Sequence, residues 1–244
     1  MENYIVIDAF NHVLIAAGAV LRNHKEPNWA YDNPEDLAEE LYTVLEGMLR
    51  KLKKTFTGTY YACWDSPGAT KYRKDLIKDY KAQRAKGPIP YQTIQRMQAF
   101  YELFGVKNIQ LPETEADDGI FALCKVLKEQ QPQNTIHIIS RDHDLIQVVQ
   151  AGYATEVFDP VAKKPMEIPW YSITEFKALT GDKSDNLTGV PGIGPKLAMS
   201  VFSGKLKLTE EQQKTYNLML DVIDARRNPL LDRNIALIKE MLKG

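Results

Sequence analysis

The run Tyr4-Ile5-Val6-Ile7-Asp8, near the amino terminus, decides the fold. It is short, apolar and rich in β-branched residues, which is typical of a strand buried on both faces, and it ends in a carboxylate. The same pattern returns at residues 59–65 and again where residues 135–139 run into a loop with two aspartates. Three buried strands that each end in an acid predict a mostly parallel sheet.

Helical patterns lie between these strands. Asn33 and Pro34 form a helix start, and apolar residues at a spacing of 3.6 predict a helix over residues 35–54. A second helix is predicted to end at Gly105, and a third is predicted to open with Thr114 as its capping residue. Strands that alternate with helices predict an α/β fold with a central, mostly parallel sheet flanked by helices.

The chain changes character near residue 165. Residues 1–165 carry the strand-and-helix alternation, whereas residues 166–244 are helical with Gly/Pro punctuation between residues 181 and 195. We therefore predict an α/β core over residues 1–165 and a helical region over residues 166–244.

The charge balance hides a local basic segment. Thirty-one Lys and Arg residues face thirty-two Asp and Glu residues, for a formal net charge of -1, so the surface is not uniformly basic. Residues 71–86 nevertheless hold seven cations and only two acids. A nucleic-acid partner would have to use such a patch.

Two cysteines, Cys63 and Cys124, lie in apolar contexts, and neither has a Cys or His at metal-ligand spacing. They are interpreted as buried thiols in a reducing compartment. No secretion signal is recognisable, and no window reaches the roughly 18 apolar residues that a membrane span needs. The expected location is cytoplasmic, with no membrane partner.

Nine acids from five distant segments are expected to meet, because the carboxyl ends of parallel strands share one edge of the sheet. They are Asp8, Asp65, Glu115, Asp117, Asp118, Asp142, Asp144, Asp182 and Asp185. Some have structural explanations: Glu115 and Asp117 would offset a helix dipole, and Asp142 would suit a turn. As a set, however, they would repel one another unless cations lay between them.

Oxygen ligands without clustered His or Cys favour Mg²⁺ or Mn²⁺ over Zn²⁺. Two such ions about 4 Å apart are a common arrangement for phosphodiester hydrolysis. The acids therefore predict two divalent ions and a phosphodiester substrate.

The string GDKSDNLTGVPGIGPK over residues 181–196, with EADD at 115–118 and DHD at 142–144, resembles the flap endonuclease and 5′ exonuclease family. The likeness runs from about residue 6 to residue 196. It implies a PIN-like 5′ nuclease core, a helical arch at about residues 71–90 and a carboxy-terminal helix-three-turn-helix motif that binds DNA.

The resemblance implies specific metal ligands. A first metal would be held by Asp8, Asp65, Glu115 and Asp117, and a second would lie near Asp117, Asp142, Asp144 and Asp185. Asp118 and Asp182 match family acids that act indirectly or through water. Asp117 and Asp142 are expected to be essential for catalysis.

The resemblance also assigns the basic segment. Lys81 and Arg84 match arch cations that reach the scissile phosphate, and Arg73 matches an arch-entry arginine. The spacing of Lys81 and Arg84 agrees with this assignment, because residues three apart share one helical face. Tyr80 is expected to stack on an unpaired base, although packing explains a tyrosine nearly as well. The alternative for the whole segment is a solvated basic helix surface.

Residues 189–196 resemble the hairpin that grips duplex DNA. Gly192 and Gly194 would let the backbone approach phosphate, and Lys196 would add charge. Relatives often hold K⁺ in this turn. The alternative interpretation is that residues 189–196 form an ordinary Gly/Pro turn.

The chain departs from the family at residues 11–17, which lack the usual cation. His12 is the candidate substitute there.

Together these features predict a monomeric, structure-specific 5′ nuclease. Its substrate would be DNA with a 5′ flap or a junction of single strand and duplex, including one that begins with an RNA primer. Two alternatives stay open: a non-catalytic DNA-binding protein of the same fold, and an RNA-cleaving nuclease of the related PIN type.

Overall fold

The structure is a computed structural model that describes residues 2–26, 28–83, 87 and 89–243. Its six strands form one sheet. They are β1 (Asn3–Asp8), β2 (Thr59–Trp64), β3 (Val106–Gln110), β4 (Thr135–Ile139), β5 (Glu156–Asp159) and β6 (Lys164–Pro165). The order across the sheet is β3-β2-β1-β4-β5-β6, and every pairing is parallel except that of β5 with β6. The prediction of a mostly parallel sheet is confirmed.

Eleven α-helices lie within the described residues. They are α1 (Ala9–Val20), α2 (Trp29–Asp32), α3 (Pro34–Thr55), α4 (Lys71–Leu76), α5 (Tyr91–Leu103), α6 (Ala116–Gln130), α7 (Ile146–Gln150), α8 (Ile173–Thr180), α9 (Pro195–Phe202), α10 (Glu210–Ile223) and α11 (Leu231–Met241). One core joins one face of the sheet to α1, α3 and α5, and a second joins the other face to α6, α7 and α11. Helices therefore cover both faces, as predicted.

Helix α3 shows how the sequence pattern produces the packing. Its apolar residues recur every three or four positions, and five leucines of this set, from Leu37 to Leu52, are buried in the core that α3 shares with α1, α5 and one face of the sheet. Pro34 occupies the first turn, where no intrahelical bond is lost. The predicted range of 35–54 agrees with the observed helix.

Helix α6 does not begin as predicted. Its N-cap is Glu115, and the Thr114 hydroxyl instead donates to the carbonyl of Pro112 at 2.8 Å. The free N–H of Ala116 donates to Asp65 Oδ1 at 2.8 Å. The carboxylate of an acid that follows strand β2 thus accepts from an otherwise unpaired N–H in the first turn of a helix that begins 51 residues later. Local sequence does not reveal this contact.

The predicted helical arch is wrong at Lys81. Helix α4 ends at Leu76, turns follow up to residue 83, and Lys81 has a left-handed backbone with φ of 54°. The segment is tied to the loop around residue 185 instead: the N–H of Lys81 donates to the carbonyl of Asp185 at 3.0 Å. Arg84 lies outside the described residues.

The carboxy-terminal region is helical, and two small cores hold it together. Gly181 and Gly189 let two backbone segments cross between α8 and α9: a Cβ on Gly181 would lie 2.5 Å from the carbonyl oxygen of Leu187. The division at residue 165 stays a prediction. Across the described residues, no helix combines the length and apolar content needed to cross a bilayer.

Candidate active site

The predicted acids gather at the carboxyl edge of the sheet, beginning with Asp8. This residue ends β1 and caps α1: its Oδ1 accepts from the N–H of Asn11 at 3.2 Å, and its Oδ2 accepts from the Ser140 hydroxyl at 2.8 Å. Ser140 follows β4, the strand next to β1. Burial raises the pKa of Asp8 to about 7, and the negative charges of Asp65 and Asp142 add to this effect.

Arg73 is buried at this edge and binds two of the acids. Its Nη1 donates to Glu115 at 2.6 Å and to Asp118 at 2.7 Å, and its Nη2 donates to Asp118 at 3.0 Å. Its Nε donates to the carbonyl of Val222 at 2.8 Å. The side chain is only 8% exposed. The residue assigned to arch entry is therefore held inside the protein as a counter-ion.

Lys81 and Tyr80 reach the same carboxylates from the turns that follow α4. The Lys81 ammonium contacts Glu115, and it lies 4.0 Å from Asp185. The Tyr80 hydroxyl donates to Glu115 and is also 3.2 Å from Asp185. Tyr80 is buried, so its ring packs inside the protein rather than offering a stacking surface.

A second group forms around Lys177, a residue that the sequence motifs do not indicate. Its ammonium contacts Asp144 and donates to Asp182 at 2.6 Å. Asp182 also accepts from the N–H and hydroxyl of Ser184, and Asp142 accepts from the N–H of Asp144 at 2.8 Å. The only sequence signal for Lys177 is a single cation in the apolar helical stretch of α8.

Mutual repulsion links the two groups. Burial raises the pKa of Asp117 well above its usual range, and the charges of Asp142, Asp8 and Asp144 raise it further, whereas Lys81 lowers it. Burial together with Asp142 likewise raises the pKa of Asp144 to about 6. The five predicted segments therefore contribute to one continuous acidic cluster.

The donor chemistry of the cluster fits a hard divalent cation. The predicted ligands are all carboxylates, and the like-charge repulsion among them is the interaction that a cation would relieve. In the part of the chain that the structure describes, no three acids, histidines or cysteines form a ready-made chelating group. Lys81, Lys177 and Arg73 supply the compensating positive charge.

Two cavities border the cluster. An enclosed one of about 30 Å³ is lined by six of the nine acids, together with Arg73 and Lys177. An open one of about 570 Å³ lies between Asp142 and Asp182 and extends to Asn11 and Lys183. The acidic cluster is therefore reached from an open cleft at the edge of the sheet.

Residues 12–179 match the family described as 5′-3′ exonuclease, N-terminal resolvase-like domain. The chain belongs to this family. A 5′-3′ exonuclease of Aquifex aeolicus is 34% identical over 175 residues, which cover 66% of this chain and 58% of the relative. A 5′-3′ exonuclease of Mycoplasmopsis pulmonis is 31% identical over 176 residues, which cover 67% of this chain and 57% of the relative. The matched part thus spans less than two thirds of the length of these relatives.

The fold also occurs in bacteriophage T5 flap endonuclease, solved as a complex with DNA and metal ions. The TM-score is 0.63 at 16% sequence identity, with coverage of 99% of this chain and 100% of that chain. At this identity the likeness concerns the fold alone. The resemblance inferred from the sequence motifs is confirmed by the family match.

In this member of the 5′-3′ exonuclease family, the predicted hairpin lies at the surface. Gly192 has φ of 79°, a backbone conformation that favours glycine. A Cβ built on Gly194 would meet no atom within 4 Å. Gly194 is the N-cap of α9, and Lys196 is exposed in its first turn. The first turn of α9 is therefore open to a ligand.

His12 does not replace the cation that family members carry in α1. It is 1% exposed, and its Nδ1 lies 2.5 Å from the Tyr101 hydroxyl. Burial lowers its pKa to about 4, which keeps the ring neutral at pH 7. The expectation that His12 contacts phosphate is therefore wrong.

Proposed function

We propose that this protein is a structure-specific 5′ nuclease that hydrolyses DNA phosphodiesters where single strand and duplex meet. One observation carries the proposal: acids from five segments form a single cluster with lysines among them, next to an open cleft. A purely structural ion-pair network would not require nine carboxylates around the three cations Arg73, Lys81 and Lys177. Family membership supports the same activity.

Two divalent ions, Mg²⁺ or Mn²⁺, would supply an activated water and stabilise the charge that develops on the phosphate. Asp8, Asp65, Glu115 and Asp117 would hold one of them, and Asp117, Asp142, Asp144 and Asp185 the other. Asp118 and Asp182 would act indirectly, Asp118 by holding Arg73 and Asp182 by holding Lys177.

Lys81 would position the scissile phosphate, together with Arg84. Its ammonium already lies among the carboxylates and is 16% exposed, so a modest rearrangement of its side chain would bring it to a phosphate in the cleft. A cation held near the reacting group stabilises the negative charge that builds up during hydrolysis. Glu115 and Asp185 orient this lysine before the substrate arrives.

The turn before α9 would grip the duplex as a helix-three-turn-helix motif. Its open glycines and the first turn of α9 present backbone N–H groups to a phosphate, and Lys196 adds a positive charge. A K⁺ ion would fit the carbonyl groups of the same turn. The protein would bind a 5′ flap, or the RNA-primed end of a strand, as a monomer.

One assay tests the activity directly. The protein is incubated with a 5′-flap DNA, a nicked duplex and an RNA hairpin, in Mg²⁺ and in EDTA. We expect Mg²⁺-dependent cleavage of the flap close to the junction. Flap binding without any cleavage would favour a non-catalytic DNA-binding protein, and cleavage of the RNA hairpin alone would favour a PIN-type ribonuclease.

Variants test the assigned residues in the same assay. Asp117→Asn and Asp142→Asn are expected to abolish cleavage while flap binding persists, whereas the exposed Asp232→Asn serves as a matched control. Lys81→Ala should lower turnover by about 100-fold or more, because its contact belongs to the transition state. Wild-type rates in the two aspartate variants would disprove the metal assignment.

A further inference from the structure

A groove lies on the sheet face that α1 and α3 cover, beside the edge strands. It has a volume of about 590 Å³ and runs between α1, the last turns of α3 and the turn after β5. Its lining contains His12 but none of the nine acids. It is therefore a separate feature of the molecule.

The floor of the groove is apolar. Ile15 of α1, Met48 and Leu52 of α3 and Phe158 of β5 line it, and Ile15, Met48 and Phe158 are only partly buried. Helices α1, α3 and α5 pack over the other strands of this face, which leaves the side of β5 less covered. Partly buried apolar side chains in a groove of this size can accept the apolar side chains of a partner.

The rim of the groove is basic. Lys51 and Lys54 project from α3, Lys163 projects from the turn after β5, and all three are exposed. Among the described residues, none of these lysines forms an ion pair, and no residue that lines the groove is acidic. The positive charge on this rim is therefore available to an outside partner.

The turn that carries Lys163 has a fixed conformation. Asp159 Oδ1 accepts from the N–H groups of Val161 and Ala162 at 2.7 and 2.9 Å, and its carbonyl accepts from the N–H of Lys163 at 2.8 Å. Lys163 has φ of 56°, a conformation that costs roughly 1–2 kcal/mol for a residue other than glycine. The backbone bonds hold the third lysine in place despite this cost.

We propose that this groove binds a short acidic peptide segment of a partner protein, with apolar side chains on the floor and carboxylates on the lysine rim. Charge complementarity selects the acidic sequence, and the floor selects apolar anchors. A DNA duplex would meet the same lysines but would leave the floor unfilled, so the peptide is the better match.

A designed peptide tests the proposal. The probe is a fluorescein-labelled peptide of 14 residues with Leu at helical positions i, i+4, i+7 and i+11 and Glu or Asp elsewhere. One control peptide replaces every acid with Lys, and another replaces every Leu with Ser. Fluorescence anisotropy should detect binding of the acidic–apolar peptide only, because each control lacks one of the two complementary features.

Matched variants locate the site. The double variant Lys51→Glu/Lys54→Glu should weaken peptide binding by about tenfold or more, since two favourable charge contacts become repulsive. Lys239→Glu/Lys243→Glu makes the same charge change at the end of α11 and in the turn after it, on the other face of the sheet, and should bind like the wild type. Lys163→Glu provides a second test from a different element. Thermal melting checks that each variant is folded.

A labelled thiol gives an independent readout. The described cysteines, Cys63 and Cys124, are both buried, so Thr55→Cys at the rim can be labelled selectively with an environment-sensitive dye. The dye should respond to the acidic–apolar peptide and not to a 5′-flap DNA. Equal binding of all three peptides, or unchanged binding in both Lys→Glu groove variants, overturns the proposal. Loss of flap-DNA affinity without loss of peptide affinity would assign the groove to DNA instead.

Discussion

Replacing Arg73 with methionine distinguishes a structural counter-ion from a DNA contact. The guanidinium donates four hydrogen bonds of 2.6–3.0 Å, three of them to buried carboxylates. Glu115 would keep its contacts with Lys81 and Tyr80, but Asp118 has no other donor among the described side chains. The substitution would therefore leave one buried carboxylate without compensation.

The expected loss follows from that geometry. Removing one partner of a buried ion pair typically costs roughly 3–5 kcal/mol, and because Glu115 keeps other partners, we expect a loss of about 3 kcal/mol at this site. For a chain of this length, that corresponds to a fall in Tm of about 6–12 °C. Flap-DNA affinity at a temperature where the variant is folded should change little, because the side chain is buried.

Urea unfolding in EDTA measures this loss, with Lys74→Met as the control because Lys74 is an exposed neighbour on α4. The double variant Arg73→Met/Asp118→Asn should be less destabilised than the sum of the single variants, since it removes the uncompensated charge. If Arg73→Met kept wild-type stability within about 0.5 kcal/mol while flap affinity fell tenfold, the counter-ion role would be refuted.

Three further predictions follow from particular backbone and side-chain environments. Gly181→Ala should destabilise the fold by about 2–4 kcal/mol in urea unfolding, because residue 181 has φ of 82° and its Cβ would lie 2.5 Å from a carbonyl oxygen. Unchanged stability would contradict the backbone crossing. Gly194→Ala should leave the free energy of unfolding within about 0.5 kcal/mol of the wild-type value, since its Cβ meets no atom, yet it should weaken duplex DNA binding in an anisotropy assay. Unchanged affinity would argue against a phosphate contact at Gly194. The His12 ring has a pKa lowered from 6.5 to about 4, so its contribution to stability is present above pH 6.5 and is lost as the pH falls towards 4. Relative to His12→Gln, wild-type protein should therefore lose about 3 kcal/mol more over that interval, and parallel pH profiles would exclude a buried neutral ring.

The sequence predicted the sheet and the meeting of the acids for one physical reason. Asp8 ends a buried strand, Asp65 and Asp142 follow two others, and parallel strands bring such positions to one edge. Helix α3 was equally predictable, because its leucines repeat at helical spacing and its start has a Pro at the first turn. Each of these predictions rests on patterns that lie within a short stretch of the chain.

The remaining features depend on contacts between distant residues. The pairing of Arg73 with Asp118 joins residues 45 apart, and the hydrogen bond between Asp65 and Ala116 joins residues 51 apart. The backbone bond from Lys81 to Asp185 likewise replaces the helix that local spacing favoured. Tertiary contacts of this kind override local propensity, and one sequence without structure does not reveal them.

The position of β1 between β2 and β4 has a consequence for synthesis of the chain. Strand β1 leaves the ribosome before the other described strands, but its partner β4 follows about 130 residues later, and Lys177 and Asp185 come later still. A nascent chain that ends before residue 185 therefore carries only part of the acidic cluster and lacks the tether that orders Lys81. Under the proposed function, DNA in the cell would meet nuclease activity only from chains that have been translated beyond residue 185.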